Sequence, residues 1–388
     1  MSSDSPVVRF EASRLCLRVA SVCFALGLGG ALLAPSLGLG TASRAAAHVL
    51  ALFGALGVFL AGSSRALLGA PRADALFQRL VMAGGVFALL LLPAEWATRL
   101  ALSDVTTTGN LGSWFSQRWM AEVPLNRAGF RERELTPKAP GVYRIAVVGD
   151  SMSFAPGIER QERYTELLEA ALNDPPSGTR YEVWNFGVPG VDTDQEAEVA
   201  RDFALPASPD FLLLQWYVND PMLGDRSGQP APLALVPSQS LTTVLRGHSA
   251  LFSVAEIAFS RLQQAAGTTR GFPDYMGQRF ADPQSPDSRA ADAALDGIFE
   301  LADAKGLPAG LVIFPSLDGS STLAFLNDRA RAVCEARGLA CLDLSPRLAA
   351  LGDPRSLWVN RFDGHPGAAA HREVAAAIVE RFGPVWRD

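Results

Sequence analysis

Residues 143–151 read YRIAVVGDS. Tyr143 to Val148 form a short apolar run that ends at a glycine, the pattern of a strand buried on both faces of a parallel sheet. Helical spacing resumes at Tyr164 to Leu172, so Ser151 is expected where the chain turns from strand to helix. The rhythm repeats outward along the chain. Tyr181–Phe186, Phe211–Gln215, Ala309–Phe314 and Leu339–Leu344 read as further strands. Gln195–Phe203, Ala290–Ala304, Ala324–Arg337 and Ala368–Arg381 read as helices. Strands alternating with helices of this length predict βαβ units, hence an α/β fold with a parallel sheet between two helical layers. Such sheets bind ligands at the C-terminal ends of their strands, which is where Ser151 falls.

The bulk composition narrows the possibilities. The chain has 388 residues, 48% of them hydrophobic, and a formal net charge of −6. No basic patch stands out, so nucleic acid is not an expected partner. Four cysteines without a CxxC, and four scattered histidines, predict neither a disulfide scaffold nor a metal centre. No cofactor is called for.

The apolar excess lies before about residue 100. Three stretches read as membrane spans: Leu15–Leu39, Ala45–Ala61 and Leu80–Trp96. Crossing about 30 Å of hydrocarbon takes about 20 mainly apolar residues, so the second and third are short, and the second could be tilted or shallow. A cleaved signal peptide would not be followed by two more such stretches. Arg9, Arg14 and Arg18 precede or open the first span, and Arg65, Arg72 and Arg79 lie between the second and third. Basic segments stay cytoplasmic, which puts the N-terminus inside and everything after the third span outside. The expected layout is an anchor over 1–100, a connector over 101–140 and an α/β domain over 141–388. Within the last, 221–288 is rich in Pro, Gly, Ser and Gln and is expected to be an insertion or lid.

Four blocks fall at the predicted strand ends. Gly149-Asp150-Ser151 follows the first strand, and the Ser151 N–H is expected near a helix N-terminus, which favours developing negative charge. Asn185 to Gly190 (NFGVPG) follows the second strand, where Gly190 can present a bare backbone N–H. Asn219-Asp220 closes the third strand, and Asp363-Gly364-His365-Pro366 precedes the last helix. A serine, a histidine oriented by an aspartate and two or three hydrogen-bond donors make an acyl-transfer constellation.

From about Asn126 to the C-terminus the chain resembles the SGNH/GDSL hydrolases, a family of three-layer, flavodoxin-like α/β/α domains. The resemblance implies that Ser151 is the nucleophile, His365 the general base and Asp363 its orienting partner. It also implies that Gly190 and Asn219 join the Ser151 N–H in an oxyanion hole. Two departures stand out. Tyr217 occupies the position, two before the asparagine, where the family usually has glycine. The last block is D-x-H rather than the commoner D-x-x-H.

Other roles remain for some of these residues. Ser151 could be only a helix cap, Ser153 is a nearby rival, and Asn219 could be a turn residue. His371 on the last helix reads as structural, His248 as a surface residue. Cys334 and Cys341 could form a disulfide outside the cytoplasm or remain two reduced core thiols.

Three functions fit. The first is a membrane-anchored, extracytoplasmic esterase or deacylase acting on an ester of an envelope glycan, a lipid or a small molecule. The second is a polysaccharide O-acetyltransferase that works with a membrane acyl-donor partner. The third is a degenerate domain that binds a glycan.

Overall fold

The computed structural model describes residues 91, 93–174, 178–224, 239–269, 271–318 and 322–387. The first two expected spans and most of the third lie outside the described residues. Among the described residues no helix is long and apolar enough to cross a membrane. Two compact units are present. One comprises the described residues before Val105 together with 239–255, and the other comprises the remainder from Val105 onward.

In the first unit the Glu95 carboxylate caps a helix. It accepts hydrogen bonds from the backbone N–H groups of Ala250 and Leu251, each at 2.9 Å, and from the Ser249 hydroxyl at 2.7 Å. Arg99, one turn further on, closes the cluster with a 2.6 Å ion pair to Glu95.

The elements, in chain order, begin with α1 (Trp114–Met120), β1 (Val142–Val148), α2 (Ser151–Phe154), α3 (Tyr164–Leu172) and β2 (Arg180–Asn185). Next come α4 (Thr193–Val199), β3 (Phe211–Trp216), α5 (Gln239–His248), α6 (Ala250–Ala265), α7 (Phe272–Phe280) and α8 (Pro286–Asp303). The chain ends with β4 (Ala309–Ile313), α9 (Ala324–Ala336), β5 (Ala340–Asp343), α10 (Ser345–Ala349), β6 (Trp358–Asn360), β7 (Asp363–Pro366) and α11 (Ala368–Arg387). The segment expected as an insertion thus carries helices α5 to α7.

Strands β1 to β5 form one parallel sheet in the order β2-β1-β3-β4-β5. This is the doubly wound flavodoxin-like order, whose switch point lies between β1 and β3. Side chains alternate across the sheet. Ala146, Val148, Leu212 and Leu214 join one core with Ile298 and Phe299 of α8 and Leu326 of α9. Ile145, Val147 and Leu213 join the other with Leu168 of α3 and Val374 and Ile378 of α11. Both faces are dry, so the strands read as continuous apolar runs, and each fully buried aliphatic side chain contributes about 1.5–3 kcal/mol.

Arg144 is the exception within β1. Its guanidinium is buried, pairs with Glu182 across the β1–β2 register at 2.8 Å and lies 3.8 Å over the Trp184 ring. The short antiparallel pair β6–β7 is separate from the main sheet, and its second strand carries the DGHP block. Cys334, near the end of α9, and Cys341 on β5 are joined as a disulfide, with Cα atoms 6.3 Å apart.

Candidate active site

The turn after β1 is held from several directions. Asp150 caps α2, its carboxylate accepting from the Met152 N–H at 2.9 Å. Because α2 is a single turn of four residues, any attraction of Ser151 for negative charge comes from local N–H groups rather than from a helix dipole. The side-chain carbonyl of Gln215, on β3, accepts from Asp150 N–H and Ser153 N–H, each at 3.1 Å, and from the Ser153 hydroxyl at 2.8 Å. Asn185 donates from its amide to Ser153 O at 2.7 Å. Beyond the turn, the buried Arg131 guanidinium donates to the carbonyls of Phe154, Ala155 and Ile158 at 3.1, 2.7 and 2.6 Å. Ala155 itself sits in the left-handed region at φ 58°, so the sharp exit from α2 is clamped rather than relaxed.

This scaffold leaves Ser151 facing β7. The His365 Nε2 lies 2.9 Å from the Ser151 Oγ, and its Nδ1 lies 2.5 Å from Asp363 Oδ1. The His365 backbone N–H also donates to Asp363 Oδ1, at 3.0 Å. The other carboxylate oxygen of Asp363 accepts a short hydrogen bond from the Thr107 hydroxyl. The D-x-H spacing works because β7 is extended: Asp363 and His365, two apart, fall on the same side of the strand.

The electrostatics follow from this chain of contacts. Burial alone would raise the Asp363 pKa, but the facing imidazole and the hydrogen bonds from His365 and Thr107 outweigh it and pull the value down to about 2. Burial likewise favours neutral His365, yet the charge and hydrogen bond of Asp363, with Asp150 behind, hold its pKa above the ordinary imidazole range.

Gly190 and Asn219 belong to the loops after β2 and β3, at the same sheet edge as Ser151. Gly190 adopts φ 77°, a conformation that needs no side chain. The Asn219 side-chain nitrogen approaches Val191 O at 3.5 Å, joining the two loops. Asp220 shapes the turn that carries Asn219 by accepting from the Tyr217 N–H at 2.7 Å. Tyr217, the residue in the usual glycine position, packs against both cores. Burial pushes its phenol pKa up against a hydrogen bond with Ser316.

Ser153 is fully buried, bonded to the Tyr164 hydroxyl at 2.6 Å as well as to Gln215, and does not meet His365. His371 is buried and stacks on Tyr164 with ring centroids 5.7 Å apart; burial, with Arg163 nearby, drives its pKa down to about 3. His248 is exposed, its Nδ1 2.9 Å from Val244 O. A cavity of about 570 Å³ opens beside Thr106, Trp119, Trp358 and Gly367, but neither Ser151, Asp363 nor His365 lines it. Among the described residues no group of three or more His, Cys, Asp or Glu could hold a metal ion.

Sequence reasoning missed Gln215 and Thr107. Gln215 had a signal, being the one polar residue of the β3 run FLLLQW beside the GDS turn. Thr107 had none, since it meets Asp363 across 256 residues of chain.

A sequence profile of the GDSL-like lipase/acylhydrolase family matches residues 147–373, more than half of the chain. A search of curated proteins finds no match. Among solved structures, the chain is similar to TesA at 16% identity and TM-score 0.40, covering 62% of this chain and 99% of that one. It is also similar to Axe2, an acetylxylan esterase from Geobacillus stearothermophilus, at 12% identity and TM-score 0.41, covering 65% and 98%. A two-domain esterase (CEX) active on acetylated mannans aligns at 13% identity and TM-score 0.40, covering 64% of this chain and 50% of that one.

Proposed function

The chain belongs to the GDSL-like lipase/acylhydrolase family and is an ester hydrolase, and from that premise we propose that it cleaves its ester through an acyl-enzyme on Ser151. The observation that carries this reading is the continuous hydrogen-bonded relay from Ser151 Oγ through His365 to Asp363. An unassisted serine hydroxyl is a poor nucleophile near neutral pH and needs a base within reach.

In the proposed cycle Ser151 Oγ attacks the ester carbonyl carbon while its proton passes to His365 Nε2. The Ser151 N–H, the Gly190 N–H and the Asn219 amide stabilise the resulting oxyanion. His365 then gives its proton to the leaving alcohol oxygen as the C–O bond breaks. Water, deprotonated by His365, attacks the acyl carbon; the bond from that carbon to Ser151 Oγ breaks, His365 returns its proton to Oγ, and the acid is released. Asp363 keeps the imidazole in the useful tautomer and stabilises its protonated form.

The proposed setting is extracytoplasmic, with the apolar stretches before residue 97 as a membrane anchor and residues 141–388 as the enzyme domain. The arginine distribution supports that topology, and the Cys334–Cys341 disulfide suits an oxidising compartment. The substrate would be an ester of an envelope glycan, a lipid or a small molecule. Hydrolysis of p-nitrophenyl acetate by the purified protein and its Ser151→Ala variant tests the mechanism. Loss of at least about 10³-fold in kcat is expected for a broken triad. Unchanged turnover in the variant would remove Ser151 from the reaction.

A further inference from the structure

The geometry points to Thr107 as a positioning residue of this site, so that the segment before the family domain supplies a fourth member of the Ser-His-Asp relay. This inference rests on the Ser151 acyl-enzyme reading and extends it to a part of the chain that precedes the family match at 147–373.

Four observations support it. The Thr107 hydroxyl donates to Asp363 Oδ2, the oxygen that His365 does not use. Both side chains are buried, each about 1% exposed, so water cannot replace that donor. Thr107 is itself held in place: its carbonyl accepts from the Asn360 amide at 2.9 Å, tying it to the β6–β7 hairpin that carries Asp363 and His365. The flanking backbone fits closely around this contact. A Cβ built on Gly157 would lie 2.9 Å from the Thr107 hydroxyl oxygen, and one on Gly109 would lie 3.5 Å from Asp363 Oδ1.

The segment is also fastened independently of the relay. The Thr108 hydroxyl donates to Ser113 Oγ at 2.7 Å, and Ser113 caps α1. Arg118 of α1 reaches back to Val105 O at 2.9 Å. Thr107 is therefore presented by a braced loop rather than by a free linker.

An aspartate that orients a histidine must hold one carboxylate oxygen in the plane of the imidazole N–H. A second donor on the opposite oxygen fixes the rotation of the carboxylate about its Cβ–Cγ bond. It also withdraws charge from the carboxylate. Removing it frees that rotation and makes the carboxylate more basic, which stabilises protonated His365.

The test uses the full chain with p-nitrophenyl acetate, comparing wild type, Thr107→Val, Thr107→Ser and Ser151→Ala. Thr107→Val is expected to lower kcat by about 10- to 100-fold, the scale of losing one hydrogen bond to a charged group. KM should stay unchanged, and the acid limb of kcat/KM should move to higher pH. Thr107→Ser, which keeps the hydroxyl, should restore both. A wild-type kcat and acid limb in Thr107→Val would overturn the inference while leaving the serine mechanism intact. So would a loss in kcat that Thr107→Ser shares together with a lowered melting temperature, which marks a packing role. Activity surviving Ser151→Ala would overturn the mechanism and the inference together.

Discussion

The His365 Nε2 lies 2.9 Å from the Ser151 Oγ although 214 residues of chain separate them. The contact is made between the C-terminal end of β1 and a short hairpin outside the main sheet. It places an imidazole within hydrogen-bond reach of the hydroxyl, and under the proposed mechanism it makes the activity sensitive to the charge state of that imidazole.

The pH profile should show this directly. His365 must be neutral to accept the Ser151 proton, and Asp363 raises its pKa above the ordinary imidazole range. The acid limb of kcat/KM is therefore expected above the usual histidine value, with activity rising as pH increases through it. Asp363, held down to about 2, stays ionised throughout and should add no limb of its own. Replacing it by Asn, which withdraws the charge, should move the limb to lower pH and cut kcat by up to about 10⁴-fold. A profile in Asp363→Asn with the wild-type limb would disconnect the pair.

Gln215 should hold the turn that carries Ser151. Its side-chain oxygen takes three hydrogen bonds, from Asp150 N–H, Ser153 N–H and the Ser153 hydroxyl. Gln215→Leu keeps approximate volume but leaves the Asp150 and Ser153 N–H groups unmatched, at about 1–3 kcal/mol for each, while the Ser153 hydroxyl keeps Tyr164 as partner. Lower melting temperature and lower kcat are expected together, with Gln215→Glu failing to rescue because a buried charge is added. Denaturant unfolding and p-nitrophenyl acetate turnover of the purified variants provide the check.

Glu196 should limit stability at alkaline pH. Its carboxyl is buried with no hydrogen-bond partner on either oxygen. Burial, with Asp150 and Asp192 nearby, pushes its pKa well above the ordinary carboxylate value, and Asp220 is pushed the same way by burial and by Glu196. A folded-state pKa raised above the unfolded one means that stability is fully present below the unfolded value of about 4.3 and is lost as pH rises through the folded value. Glu196→Gln removes that loss. The variant should gain more in melting temperature at pH 8 than at pH 5, and an equal gain at both would show that the folded-state pKa of Glu196 is not raised above its unfolded value.

Much of the sheet is legible in the sequence because both of its faces are dry. Tyr143–Val148, Phe211–Gln215 and Ala309–Phe314 coincide with β1, β3 and β4 to within a residue, since a strand buried on both sides needs an unbroken apolar run. The Tyr164–Leu172 helix is matched at both ends. The helices α5 and α7 are less legible, because they are only ten and nine residues long and lie in a stretch rich in Pro, Gly, Ser and Gln. The β6–β7 pair was also missed: strands of three and four residues leave too little pattern to read.

The sequence by itself determined which groups are present and which end of each strand carries them. Local order along the chain suffices for that, because a motif directly after an apolar run must emerge at that strand's end. The motif favours Ser151 over its neighbour Ser153, and only the tertiary structure supplies the physical reason. Ser151 meets His365 while Ser153, two residues on, is buried against Gln215 and Tyr164. It likewise decided that Thr107, in a segment that reads as a polar connector, touches the aspartate of the relay. Such contacts depend on how distant segments pack around one buried carboxylate, and neither periodicity nor spacing along the chain encodes a distance across it.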